Sequence, residues 1–378
     1  MTTQHGGDIW AASQKTGRCA GDLLDFSSSI NPGGPAPGVG GAIKELIDNA
    51  ALFAAYPDPC SQDLRRALCS YLGVEEENIL AGNGSTEFIY LIPEVLRPKQ
   101  ALIVEPAFSE YAPALARAGT EITPFLLKEE DDFTLDPQRL EKAMQERRPD
   151  ILYIANPSNP TGRLTEKESL LKIARFCRRE KVRLLLDEAF IDFNEGHSMA
   201  EEAAGQEHII VLRSMTKFCA LAALRLGYMV GAEGIAEKFR RAMAPWSVNT
   251  VAAVAGAASL GDVSYIKRTR RWLKRESPLM REGLMDIAGL KVYDSAANFF
   301  TVRIDPGVWG TGRELTASLL KDLLLARGLL IRDLSDIRGM GESFFRVAVK
   351  GRDDNMLLLR ELKAVLAAGD TPRGAAAP

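Results

Sequence analysis

The chain has 378 residues, 47 Lys and Arg against 50 Asp and Glu, a net charge of −3 and five cysteines. That length allows a large buried core in more than one domain, and the near balance of charge excludes the broad basic field of a general nucleic-acid binder. Cys19, Cys60, Cys69, Cys177 and Cys219 are scattered, and the only histidines are His5, His197 and His208, so neither a disulfide framework nor a metal centre is expected.

The N-terminus lacks the basic, apolar, small-residue order of a secretion signal, and no early run is long enough to cross a bilayer. The expectation is a cytoplasmic protein with no membrane partner.

Residues 1–39 read as an arm. His5-Gly6-Gly7-Asp8 precedes a helix, and Ser27-Ser28-Ser29-Ile30-Asn31-Pro32-Gly33-Gly34 breaks regular structure. Such a stretch is either ordinary terminal chain or a lid whose His5, backbone amides and Asn31 face a ligand.

From residue 40 short apolar runs alternate with amphipathic stretches. Strands are expected at Ile79 to Ala81, Ala101 to Val104, Ile151 to Ala155, Val182 to Leu186, Ile209 to Leu212 and Tyr228 to Gly231. Thr165 and Glu168 read as a capping box for a helix with Leu170, Ile173, Ala174 and Cys177 on one face, which makes Cys177 core. The alternation predicts an α/β fold with a mostly parallel central sheet and helices on both faces, in a large domain at 40–255.

After residue 250 the texture changes. Lys267, Arg268, Arg270, Arg271, Lys274 and Arg275 read as one solvated helix face. A smaller α/β domain at 256–368 is expected to have strands near Asn298 to Val302, Leu329 to Ile331 and Phe345 to Val349, and 369–378 reads as a disordered tail.

Ligands of parallel sheets sit beyond the carboxyl ends of the strands, and the polar signals fall there. Gly82-Asn83-Gly84-Ser85-Thr86-Glu87 opens a helix with free amides and hydroxyls, either a capped turn or a phosphate cradle. Asn156-Pro157-Ser158-Asn159-Pro160-Thr161-Gly162 fixes Asn159 at a strand end. Asp187 ends an apolar strand, where it is a helix cap or the partner of a pyridinium nitrogen. Phe108 is a core aromatic or a lid on a ring. Ser214-Met215-Thr216-Lys217 places an amine just past a buried strand, with Arg225 eight residues on. Together these fit pyridoxal 5'-phosphate (PLP) carried on Lys217.

The set Asn159-Pro160-Thr161-Gly162, Asp187, Ser214-x-x-Lys217 and Arg225 resembles the fold-type I PLP enzymes of the class I/II aminotransferase superfamily, over nearly the whole chain. The resemblance implies the PLP-dependent transferase fold and a division of roles. Lys217 carries the cofactor and Asp187 holds the pyridine nitrogen. Asn159 meets the ring hydroxyl, and Phe108 stacks on the ring. Ser85, Thr86, Ser214 and Arg225 form the phosphate cup. Tyr56 resembles the tyrosine that reaches the partner subunit's cofactor phosphate, which implies a homodimer with shared active sites.

Within that group the chain resembles the L-threonine-O-3-phosphate decarboxylase family of cobalamin biosynthesis. The shared stretches include His5-Gly6-Gly7, Asp25-Phe26-Ser27, Asn31-Pro32, Asp187-Glu188-Ala189-Phe190 and Phe345-Arg346-Val347-Ala348. The nearest rival is histidinol-phosphate aminotransferase; many aminotransferases carry a tyrosine where Phe190 stands. A PLP-binding regulator without catalysis is a third possibility. Asp8, Ser28-Ser29, Cys219 and Ala222-Ala223 depart from the family pattern. The implied substrate is a small phosphorylated amino acid held by His5, Gly6, Asn31, Asn159, Arg332 and Arg346. Arginine forks suit its two anionic groups, although Arg332 has Asp333 and Asp336 close by as alternative partners.

Overall fold

A computed structural model describes residues 6–309 and 314–368. It divides into two compact units, one taking in the chain as far as Ser29, Pro160–Gly162 and everything from Trp272 onward, the other Ile30–Asn159 and Arg163–Arg271. His5 and the expected tail at 369–378 lie outside the described residues.

The arm begins with a helix, Ile9–Thr16, capped by Asp8, whose Oδ1 accepts from the Ala11 N–H at 2.9 Å. An aspartate at this position satisfies an amide that the helix itself leaves without a partner, which accounts for Asp8 there. Strand β1 (Leu24–Asp25) follows.

In the larger unit seven strands form one sheet: β2 (Ile79–Gly82), β3 (Gln100–Glu105), β4 (Glu121–Leu126), β5 (Ile151–Ala155), β6 (Arg183–Asp187), β7 (Ile209–Ser214) and β8 (Gly227–Gly231), in the order β2-β8-β7-β6-β5-β3-β4. β8 runs antiparallel to β2 and β7, and the other pairs are parallel. The six expected strands are all present. β4 was not expected because its sequence, Glu-Ile-Thr-Pro-Phe-Leu, belongs to a half-exposed sheet edge. An edge strand needs no continuous apolar run and tolerates proline.

Helix Ser85–Leu96 buries Phe88, Ile89 and Ile92 in one core with Ile103, Tyr153, Leu212 and Met229 of the sheet. Each such side chain contributes about 1.5–3 kcal/mol on burial.

Two local expectations are corrected. The helix Lys167–Glu180 buries Leu170, Ile173, Ala174 and Cys177 as predicted, but its cap is Glu166 with no side-chain bond. Thr165 is taken instead by Asn156, which accepts the Thr165 N–H at 2.7 Å and donates to its carbonyl at 3.2 Å. On the helix Val263–Met285 most of the basic run is exposed, but Arg270 is not one of a solvated set: it donates to the Asp192 carbonyl at 2.8 Å and to the Tyr71 hydroxyl at 3.0 Å.

The smaller unit adds β9 (Leu290–Val292), β10 (Phe299–Ile304), β11 (Leu329–Leu330), β12 (Arg332–Asp333) and β13 (Phe344–Ala348). β12-β13-β10-β9 is an antiparallel sheet, and β11 pairs in parallel with β1. The single strand expected at Leu329 to Ile331 thus ends at Leu330, and the chain crosses to the other sheet at Arg332. No described helix is long and apolar enough to cross a membrane.

Candidate active site

The larger unit gathers its polar groups at the carboxyl end of the sheet. After β2 the chain turns through Gly84 (φ +79), where a Cβ would lie 2.9 Å from Arg225 Nη2. Gly227 is needed for a second close approach, since its Cβ would lie 2.3 Å from the Ser85 nitrogen. No side chain caps the helix beginning at Ser85, and Ser85 and Thr86 are half-buried. At the end of β7 the Ser214 and Thr216 hydroxyls lie 2.8 Å apart, both buried.

Glu87 in the first turn accepts the Asn83 N–H at 2.6 Å, and the exposed Arg225 adds a positive charge to the positive end of the helix. The helix-start amides of Ser85 and Thr86, their hydroxyls and Arg225 make a donor set suited to a phosphate, so these residues fit the phosphate end of PLP.

Asp187 ends β6 almost fully buried. Its Oδ2 accepts from the Tyr111 hydroxyl at 2.5 Å and its Oδ1 from the Ala189 N–H at 3.0 Å. Burial pushes its carboxyl up, while Tyr111, Ala189 and the charge of Lys217 pull it back down. The charge of Lys217 thus reaches the Asp187 carboxylate. A buried carboxylate held above its usual range gains from a cationic partner, as a pyridinium nitrogen would be.

Tyr111 was missed from sequence, although it stands three residues after Phe108 in the first turn of helix Tyr111–Arg117. The half-buried Phe108 ring meets it edge-on at 5.8 Å. Replacing Tyr111 with Phe deletes a short bond to a charged group, an effect of about 1–2 kcal/mol. PLP affinity is expected to fall about 5- to 20-fold, read by titrating apoprotein with PLP; an unchanged affinity would count against Tyr111 as a support for Asp187.

Lys217 is half-buried, and its carbonyl accepts from the Asn31 N–H at 3.0 Å. The Asn31 side chain is buried, its Nδ2 lying 3.1 Å from the Phe218 carbonyl, Tyr265 hydroxyl and Thr269 Oγ1, and its Oδ1 accepting from Gly33 N–H. Asn31 thus braces the loop after Lys217 with a side chain already committed to protein. Asn159 is half-buried beyond β5. Tyr56 is 79% exposed and stacks on Trp246 with centroids 4.6 Å apart.

The smaller unit holds the two late arginines. Arg332 of β12 and Arg346 of β13 are register partners, with Thr301 of β10 next in the same row. Both are buried. Arg332 Nη2 donates to both oxygens of Asp336 at 2.8 and 2.9 Å. Arg346 Nη2 donates to the Ser27 carbonyl at 3.2 Å, and its guanidinium lies 4.8 Å from the Phe299 ring centroid. Burial, then the neighbouring Arg332, push Arg346 down to about 9.

In the same unit Gly6 presses so closely on Ser27 that a Cβ would lie 2.3 Å from its carbonyl oxygen. Gly7 N–H donates to Ser27 Oγ at 2.7 Å, and the Ser27 and Ser28 hydroxyls both bond Asp25. Ser28 therefore serves to hold the arm. Gly6, Ser27, Lys15, Lys321, Arg332 and Asp333 contribute to a cavity of about 440 Å³.

An amine and a buried carboxylate at the ends of parallel strands, beside a donor-lined cup, suit PLP. The chain matches the model of the aminotransferase class I and II family over residues 21–361, and it belongs to that family of PLP-dependent enzymes.

Among its relatives is the threonine-phosphate decarboxylase of Salmonella typhimurium, 38% identical over 97% of both chains. Similar solved structures are an L-threonine-O-3-phosphate decarboxylase from Porphyromonas gingivalis (25% identity, TM-score 0.77, 90% of this chain and 99% of that one) and a histidinol-phosphate aminotransferase from Clostridium acetobutylicum (30%, TM-score 0.82, 92% and 100%).

Proposed function

We propose that the chain is a cytoplasmic enzyme that decarboxylates L-threonine O-3-phosphate to (R)-1-amino-2-propanol O-2-phosphate, a step in cobalamin side-chain biosynthesis. The observation that carries the substrate class is the opposition of Arg332 and Arg346 across β12 and β13. Like charges directly opposite on a sheet are destabilising. Asp336 offsets part of the Arg332 charge, and the two buried guanidinium groups in that register still offer donors that suit a ligand with two anionic groups, as an amino acid phosphate has. The Salmonella relative named for that activity supports the reading.

PLP bound at Lys217 supplies an electron sink for charge released at the α-carbon. Asp187 would hold the ring nitrogen and Asn159 the ring hydroxyl, Phe108 would pack on the ring, and Ser85, Thr86, Ser214 and Arg225 would hold the phosphate. Arg332 and Arg346, with His5 and Gly6 of the arm, grip the substrate anions and so orient the bond to the carboxylate for cleavage. The Lys217 amine then returns a proton to the α-carbon.

The decisive experiment measures carbon dioxide release from threonine phosphate and serine phosphate beside transamination of histidinol phosphate with 2-oxoglutarate. Release with threonine phosphate is expected; serine phosphate lacks one methyl and loses about 1 kcal/mol in an apolar pocket. Stoichiometric consumption of 2-oxoglutarate without carbon dioxide would establish an aminotransferase instead.

The enzyme works in this reading as a homodimer in which Tyr56 reaches the partner's cofactor phosphate. The exposed Ile47, Leu52, Phe53, Tyr56 and Trp246 support such a partner, and sedimentation equilibrium at the monomer mass would contradict it.

A further inference from the structure

Next to Asp187 and to Ser214 in sequence stand Glu188 and Arg213, which the cofactor site does not use. Arg213 is fully buried. As side chains alternate along a strand, it leaves β7 on the face opposite Ser214. Its Nη2 donates to Glu195 Oε1 at 2.7 Å and Oε2 at 2.9 Å, and Nη1 to Oε1 at 3.1 Å. Glu188 and Asp192 each lie 3.5 Å from it, and Nε donates to the Tyr228 hydroxyl at 3.3 Å.

The Tyr71 hydroxyl bridges Asp192 and Glu195 at 3.0 and 2.9 Å, and Arg270 closes the rim 3.6 Å from Glu195. The cluster continues into the lysine loop. The Arg270 guanidinium lies 5.8 Å from the Phe218 ring centroid, and the buried Cys219 lies in the field of Asp192 and Arg213.

Three carboxylates, Glu188, Asp192 and Glu195, thus face two guanidinium groups. Tyr71, Tyr228 and Cys219 are the other titratable groups around them, and burial holds each in its neutral form. Burial pushes Glu188 up to about 7 and raises Glu195. So extensive a buried ionic network is a costly way to fill a core, since apolar residues of similar volume would often serve stability as well.

We propose that Arg213, held by Glu195 and Glu188, is a positioning residue that fixes the ends of β6 and β7, and so aligns Asp187 and Lys217. The proposal rests on the PLP reading but not on which amino acid is turned over.

The test uses holoenzyme variants Glu195→Gln and Tyr71→Phe, and measures the pH titration of the visible absorbance of lysine-bound cofactor, kcat, KM and Tm. A Lys217 no longer held in line with the Asp187 carboxylate loses part of the charge that favours its protonated form. In Glu195→Gln the titration midpoint is expected to move down by about half a pH unit, with kcat down about tenfold and KM within about twofold. Glu195→Asp should restore much of both. Tyr71→Phe loses only a hydroxyl from the rim; should the charge variant not fold, a several-fold loss of kcat at constant KM in Tyr71→Phe carries the test. A lower Tm with unchanged midpoint and kcat would overturn the proposal. Absence of the visible band from the parent enzyme would overturn the cofactor reading instead.

Discussion

Lys217→Ala is expected to lose the visible absorbance of bound cofactor after dialysis and to lower kcat by at least about 10³-fold, since in the proposed mechanism the nucleophile and the proton donor are one group. Lys217 adjoins the buried Ser214 and Thr216, and its backbone is held by Asn31. The change removes an amine from a half-buried position without disturbing that backbone bond. The variant should therefore fold, and far-UV circular dichroism would check that it does. A retained band would refute covalent attachment at this position.

Arg346→Met is the second large effect, and its signature is loss of activity without loss of stability. Removing one of two opposed buried cations relieves their repulsion, which offsets the loss of the Arg346 bond to the Ser27 carbonyl. Its Tm is expected to stay level or rise by about 1–3 °C.

Truncating one partner of a buried charged contact to a ligand costs about 2–5 kcal/mol, so kcat/KM for threonine phosphate should fall about 10²- to 10³-fold. The parent protein should also gain thermal stability from saturating substrate, by about 2.7 kcal/mol at a hundred times Kd, and the variant should gain little. A variant destabilised by several degrees, with substrate affinity intact, would make Arg346 a structural group and remove the main support for a dianionic substrate.

Much of the fold and cofactor site can be read from local pattern. Apolar runs such as Val182 to Leu186 lie on both-face-buried strands, which are apolar throughout, and Asp187 announces itself as the charge that ends one. The turn at Gly84 can likewise be read, because its φ of +79° is a conformation that glycine adopts without strain. β4 escaped because a strand at a sheet edge carries no such pattern.

By itself, then, the sequence determined most of the order of strands and helices through periodicity, while the motifs at Lys217, Asp187 and Arg225 carry a resemblance to the family that the family match bears out. Tertiary structure alone decided the Tyr111 bond to Asp187, 76 residues away, the facing of Arg332 and Arg346, and the enclosure of Arg213 by three carboxylates. Those arrangements arise from strand register and from packing between distant segments, and neither is written in the local pattern of side chains.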